Sequence, residues 1–165
     1  MKAEIIAVGS ELLTPDSSDT NSLYLTHKLN EAGCEVHLKT IVGDDQNEIE
    51  RLLQQALERS ELILFSGGLG PTMDDRTRAA VAGALNRPLI SDPEILEDLR
   101  RKFASRGFKM SPNNELQAEV IRGAEAVDQD VREGLDMLGV EQDSNHHAAV
   151  RGSELPDAQR RLFLE

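Results

Sequence analysis

The chain has 165 residues, with 30 Asp and Glu against 18 Lys and Arg and a formal net charge of −12. That balance excludes diffuse attraction to nucleic acid or to an anionic membrane, so any anionic ligand has to be held by local features. A single cysteine excludes an internal disulfide and a Cys-rich zinc site, no apolar run reaches the roughly 18 residues of a membrane span, and the start MKAEIIAVGSELL lacks the apolar region of a signal peptide, so one compact, soluble, cytoplasmic domain is expected.

In chain order, the β-branched run EIIAV at 4–8 reads as a strand ended by Gly9. A helix follows over Asp19 to Ala32, with Leu25, Leu29 and Ala32 at helical spacing before Gly33. CEVHLKTIV alternates around Val36, Leu38 and Ile41 as a second strand. DDQNEIERLLQQALERS places Ile49, Leu52, Leu53, Ala56 and Leu57 on one helical stripe behind an aspartate cap. The run LILF at 62–65 is a third strand, and Thr77 to Leu85 reads as a helix with Ala80, Val81, Ala84 and Leu85 inward. Strands alternating with helices predict a parallel sheet covered by helices, an α/β fold with right-handed crossovers.

SDPEILEDLRRKFASRG is a further helix, with Asp92 as cap, Pro93 in the first turn, Ile95, Leu96, Leu99 and Phe103 inward and Gly107 as stop. Beyond Val127 no clear strand run is visible and periodicity is weak.

In an open parallel sheet, ligands collect at the carboxyl ends of the strands. Three motifs fall there: VGSELL after the first strand, VGDD after the second and SGGLGPTMDDRT after the third. The last has the glycines of a phosphate loop but no lysine. Glycines let the backbone turn tightly and approach a ligand, and free amides at the start of the next helix supply donors and partial positive charge in place of lysine. Asp74 and Asp75, with Asp44, Asp45 or Glu11, have the hard oxygens that suit a divalent cation bridging to phosphate.

Each of these residues also has a structural reading. Gly67, Gly68 and Gly70 serve equally as turn residues, and Asp74 or Asp75 as cap of the helix near Thr77. Asp45 reads as the cap of the next helix, which leaves Asp44 as the ligand candidate. Glu11 suits an exposed loop. Asn21 sits at a helix start, where its amide can also read a ligand or fix a loop, and Asn113 and Asn114 follow a proline as turn residues. His27 and His37 have no nucleophile partner in view and read as surface; Cys34 reads as buried.

Taken together, AEIIAVGSELL, DTNSLYLTHKLNEAG, TIVGDD, SGGLGPTMDDRT and MSPNN resemble, in order and spacing, the amino-terminal domain of the CinA family of competence/damage-inducible proteins. That domain lies within the molybdopterin-binding superfamily typified by MogA and MoaB. The resemblance covers about residues 2–126 and divides the chain into a domain over 1–126 and a divergent tail over 127–165. It implies a three-layer α/β/α fold and cation-dependent hydrolysis of a nucleotide diphosphate linkage such as that of ADP-ribose. The implied ligand residues are Gly9, Ser10, Asn21, Ser66, Gly67, Gly68, Leu69, Gly70, Thr72 and Thr77. Asp44, Asp45, Asp74 and Asp75 would hold magnesium, manganese or cobalt, and Glu11, Asp74 and Asp75 are the candidates for proton transfer. The alternatives are a molybdopterin-binding protein of molybdenum cofactor biosynthesis and an inactive remnant of the fold. The expected partner is a nucleotide or pterin phosphate, with a homo-oligomer allowed by the superfamily's habit.

The tail departs from the family pattern, which continues with a Gly-Thr-Ala-Pro-Gly-like motif and a later Pro-Gly-Val/Pro-Pro motif. Under one admissible codon choice, Arg132-Glu133-Gly134 read one base later gives Gly-Lys-Ala, and His146 to Ser153 gives Thr-Thr-Leu-Leu-Ser-Gly-Val. The tail is therefore expected to be a frame-shifted reading of the family's remaining sequence. A gene in which no shifted frame encodes both missing motifs would contradict that.

Overall fold

The computed structural model of the chain describes residues 1–70, 72, 76–127, 147–150 and 161–164. Pro71, Met73, Asp74, Asp75 and most of the tail lie outside the described residues.

Strand β1 (Lys2–Val8) is buried from Ala3 onward. It is flanked in parallel by β2 (Glu35–Val42) and β3 (Leu62–Ser66). Side-chain alternation sends β1 and β3 residues to opposite faces. Ala3, Ile5, Leu62 and Leu64 meet Leu25 and Leu29 of helix α1 (Thr20–Glu31), with Cys34 in the same cluster. Ile6, Val8, Ile63 and Phe65 meet Ile49, Leu53 and Ala56 of α2 (Gln46–Arg59) and Ala80 and Val81 of α3 (Thr77–Ala84). Two cores on two faces make the three-layer α/β/α arrangement expected from the sequence.

Helix starts follow their caps. Asp19 accepts from the Ser22 amide and Asp45 from the Glu48 amide at 3.0 Å, so the cap reading of Asp45 holds. At α3 the cap position is Arg76, which makes no side-chain cap bond. Asp92 accepts from Glu94 and Ile95 at the start of α4 (Pro93–Ser105), with Pro93 in its first turn. This helix lies between β4 (Leu89–Ser91) and β5 (Glu119–Ile121), which pair antiparallel as a separate two-stranded sheet. The short helix α5 (Pro112–Glu115) leads into β5, so Asn113 and Asn114 are helical rather than simple turn residues.

Two departures concern strands. The β1–β2 register shifts between Ala3 and Glu4, so that Ala3 pairs with Val36 but Glu4 with Leu38. This irregularity reverses the phase of β2. Val36 packs with the α1 face and Val42 with the other, while Ile41, expected inward, is 41% exposed on the edge strand. The second departure lies in the tail, where the sequence shows no strand pattern. Beyond β6 (Glu125–Val127), β7 (His147–Val150) and β8 (Arg161–Leu164) complete a sheet of order β2-β1-β3-β8-β7-β6. β8 is parallel to β3, whereas β7 is antiparallel to β8 and to β6. Four-residue strands are too short to show a period, and long-range pairing supplies what local pattern lacks.

One polar residue lies inside the apolar run that marks β1. Glu4 is fully buried, and its carboxylate accepts from Arg59 Nη2 at 2.7 Å, Arg59 Nε at 3.0 Å and the Ser60 hydroxyl at 2.9 Å. The hydrogen bond to Glu4 holds the Arg59 guanidinium above its ordinary pKa. Among the described residues, no helix is long and apolar enough to cross a membrane.

Candidate functional site

Because β1, β2 and β3 are parallel, Val8, Val42 and Ser66 end at one edge of the sheet, and the three sequence motifs follow them there. Gly9 donates its amide to the Val42 carbonyl at 2.9 Å, extending the pairing to that edge. Ser10 and Glu11 open a short 3-10 turn over Ser10–Leu13. Ser10 and Asp44 then brace each other: the Ser10 amide donates to Asp44 Oδ2 at 2.9 Å, and the Asp44 amide donates to Ser10 Oγ at 3.1 Å. A Cβ on Gly43 would stand 3.1 Å from that hydroxyl, so the first two loops approach closely. Asn21, in the first turn of α1, brings its side-chain amide within 3.5 Å of Ser66 Oγ at the end of β3. The first pair joins the ends of β1 and β2, and the second joins the start of α1 to the end of β3. Glu11 is exposed, with its carboxylate folded back over Gly9.

The glycine loop is held by the helix that follows it. Gly67 and Gly68 have φ of 90° and 65°, in the left-handed region that favours glycine. A Cβ on Gly67 would meet the Val8 carbonyl oxygen at 2.2 Å, so the loop lies directly against the end of β1. The buried Thr77 donates its hydroxyl to the Gly67 carbonyl at 2.8 Å and its amide to the Gly68 carbonyl at 3.1 Å. Arg78 Nη2 donates to the Leu69 carbonyl at 2.5 Å and the Gly70 carbonyl at 3.4 Å. Four successive carbonyls are therefore turned toward the first turn of α3.

In a trans peptide the carbonyl and the next amide point in opposite directions, and no peptide bond among the described residues is cis. The amides of Gly68, Leu69 and Gly70 accordingly point away from α3, and none of them donates to a described residue. The Leu69 side chain anchors the loop by packing on the core beside α2 and α3. A row of free N–H groups is the arrangement that accepts an anion.

The structure brings together Gly9, Ser10, Glu11, Asp44 and Asn21 with Ser66, Gly67, Gly68, Leu69, Gly70 and Thr77; Thr72 is exposed. Asp74 and Asp75 lie outside the described residues. Asp45 points its carboxylate at its own helix. Sequence reasoning passed over Arg78, because a single arginine inside a helix pattern gives no local signal of binding four backbone carbonyls.

Residues 4–147 match the family described as "Probable molybdopterin binding domain". The chain is 53% identical over 130 residues to a CinA-like protein of Koribacter versatilis, an alignment that takes in 79% of this chain and 31% of that protein. The chain thus spans under a third of the relative's length. Among solved structures, the protein CinA of Thermoplasma acidophilum superposes with a TM-score of 0.79 at 24% identity, over 99% of this chain and 86% of the other. The tungsten cofactor synthesizing protein MoaB of Pyrococcus furiosus gives a TM-score of 0.53 at 15% identity, over 99% and 79% of the two chains. These two likenesses carry the fold.

Proposed function

The chain belongs to the probable molybdopterin binding domain family and is similar over most of its length to CinA-like proteins, and from that premise we propose that its carboxyl strand edge binds a phosphate-bearing nucleotide and hydrolyses its diphosphate linkage, as in ADP-ribose. The observation that carries the binding is the row of amides at Gly68, Leu69 and Gly70, which donate to no described residue and are set beside the braced ends of β1 and β2. In the hydrolysis, water adds to one phosphorus and the bridging P–O bond breaks, giving AMP and ribose 5-phosphate. A carboxylate takes the proton of the attacking water. Glu11 stands at the edge for that role, with Asp74 and Asp75 as the other candidates from the loop sequence.

Such chemistry uses a divalent cation at the phosphate oxygens. Among the described residues, no three His, Cys, Asp or Glu gather to hold a metal ion. Asp45 is engaged as a cap, and one oxygen of Asp44 is taken by the Ser10 amide. The described carboxylates alone do not fit a cation; magnesium, manganese or cobalt would need Asp74 and Asp75 beside Asp44. When bound, such an ion supplies charge neutralisation at the phosphate oxygens.

The test is release of AMP and ribose 5-phosphate from ADP-ribose, followed through a coupled phosphatase with and without chelator. Equal amounts of both products, lost on chelation, are expected. Asp75→Asn should lower this turnover about tenfold or more while Tm stays within a few degrees, since about 1.4 kcal/mol of transition-state stabilisation is tenfold in rate. Equal loss of stability and activity would assign Asp75 a structural role instead. The family description favours a second reading, a pterin phosphate ligand. Tighter binding of a molybdopterin precursor, without phosphate release from ADP-ribose, would decide for it. Nucleotide binding with no turnover under any of the three cations would mark a non-catalytic domain.

A further inference from the structure

The glycine loop has no lysine, yet a cation stands behind it. The Arg78 guanidinium spans two segments: Nη2 reaches the Leu69 and Gly70 carbonyls, and Nη1 reaches the Gln117 carbonyl at 3.1 Å and the Glu119 carbonyl at 3.5 Å. One side chain thus joins the loop after β3 to the entry of β5, in the small lobe built from β4, α4, α5 and β5. Lysine has three donors on one nitrogen and cannot span both pairs, whereas the planar fork of arginine can.

We infer that Arg78 is a positioning residue for the anion site: by drawing the Leu69 and Gly70 carbonyls to its own side, it holds the loop amides outward and ties them to the small lobe. This rests on the phosphate-binding reading of the edge. The lobe's position is linked to the site in the same way, because Gln117 and Glu119 share the guanidinium with the loop.

The test compares wild type, Arg78→Met and Arg78→Lys by ¹⁵N relaxation of backbone amides and by calorimetric titration with inorganic pyrophosphate and with ADP-ribose. In Arg78→Met, order parameters at Gly68, Leu69 and Gly70 are expected to fall from about 0.85 to below about 0.6 while those of β1 and α2 hold, and affinity for both probes to fall about tenfold or more. Arg78→Lys should recover the loop order in part and the affinity by less. Unchanged order parameters in Arg78→Met would overturn the inference whether or not a probe binds. Lost order with unchanged affinity would also overturn it, leaving Arg78 a structural tether. If Arg78→Met does not fold, Arg78→Lys decides on the same two readouts. Failure of wild type to bind either probe would instead overturn the phosphate reading of the edge, and with it the anion-positioning role.

Discussion

Gly67→Ala is expected to lower stability by about 2–4 kcal/mol, or roughly 5–15 °C in Tm for a domain of this size, and to remove most affinity for pyrophosphate. Two costs add. A left-handed backbone penalises any side chain by about 1–2 kcal/mol, and φ here is 90°. The added Cβ would also stand 2.2 Å from the Val8 carbonyl oxygen, which is backbone in the central strand and cannot rotate away. Relief requires the loop to lift off β1, which pulls the Gly67 and Gly68 carbonyls from Thr77 and scatters the amides that follow. Thermal unfolding and titration of the same variant measure both effects. A variant with wild-type Tm and affinity would show that the loop is not pinned against β1.

Arg59→Met is expected to cost about 3 kcal/mol, since it leaves the Glu4 carboxylate buried with only the Ser60 hydroxyl bonded to it among the described residues. The figure sits at the low end for a broken buried pair because the Arg59 side chain is 40% exposed, so water partly replaces it. Glu4→Gln should cost less, because the neutral amide needs no counter-charge and still bonds Ser60. The double variant Arg59→Met with Glu4→Leu should recover much of the loss, a coupling that urea denaturation of the full cycle reads directly. A loss under about 0.5 kcal/mol for Arg59→Met alone would mean that solvent reaches Glu4.

How much of this was legible in the sequence follows from the range of each interaction. The helices α1, α2 and α4 announce themselves by local spacing and by caps at Asp45 and Asp92, so their existence is readable; the inward faces hold at Leu25 and Leu29 of α1 and at Ile49, Leu53 and Ala56 of α2, whereas Ala32 is exposed and α4 buries only Leu99 of the four residues read as inward. β1 and β3 are readable as apolar runs, and their shared edge follows from parallel topology, which places Gly9, Asp44 and Ser66 together without further information. Local pattern fails where the partner is distant. Glu4 sits in an apolar run but is matched by Arg59, fifty-five residues away. The register irregularity at Val36 to Leu38 turns Ile41 outward, and nothing in CEVHLKTIV marks it. The tail strands exist through pairing with β3 and with one another. At the site, glycines and carboxylates were visible as residue types. The Ser10–Asp44 brace, the Asn21–Ser66 approach and the Arg78 clamp all join residues far apart in the chain, and only folding reveals them.

Titration of the ¹⁵N-labelled chain with ADP-ribose, followed by amide chemical shifts, decides whether the loop amides hold the ligand. The largest shifts are expected on Gly68, Leu69 and Gly70, with smaller ones at Ser10 and Asp44. Shifts confined to α4, or none at the three loop amides at saturation, would contradict it.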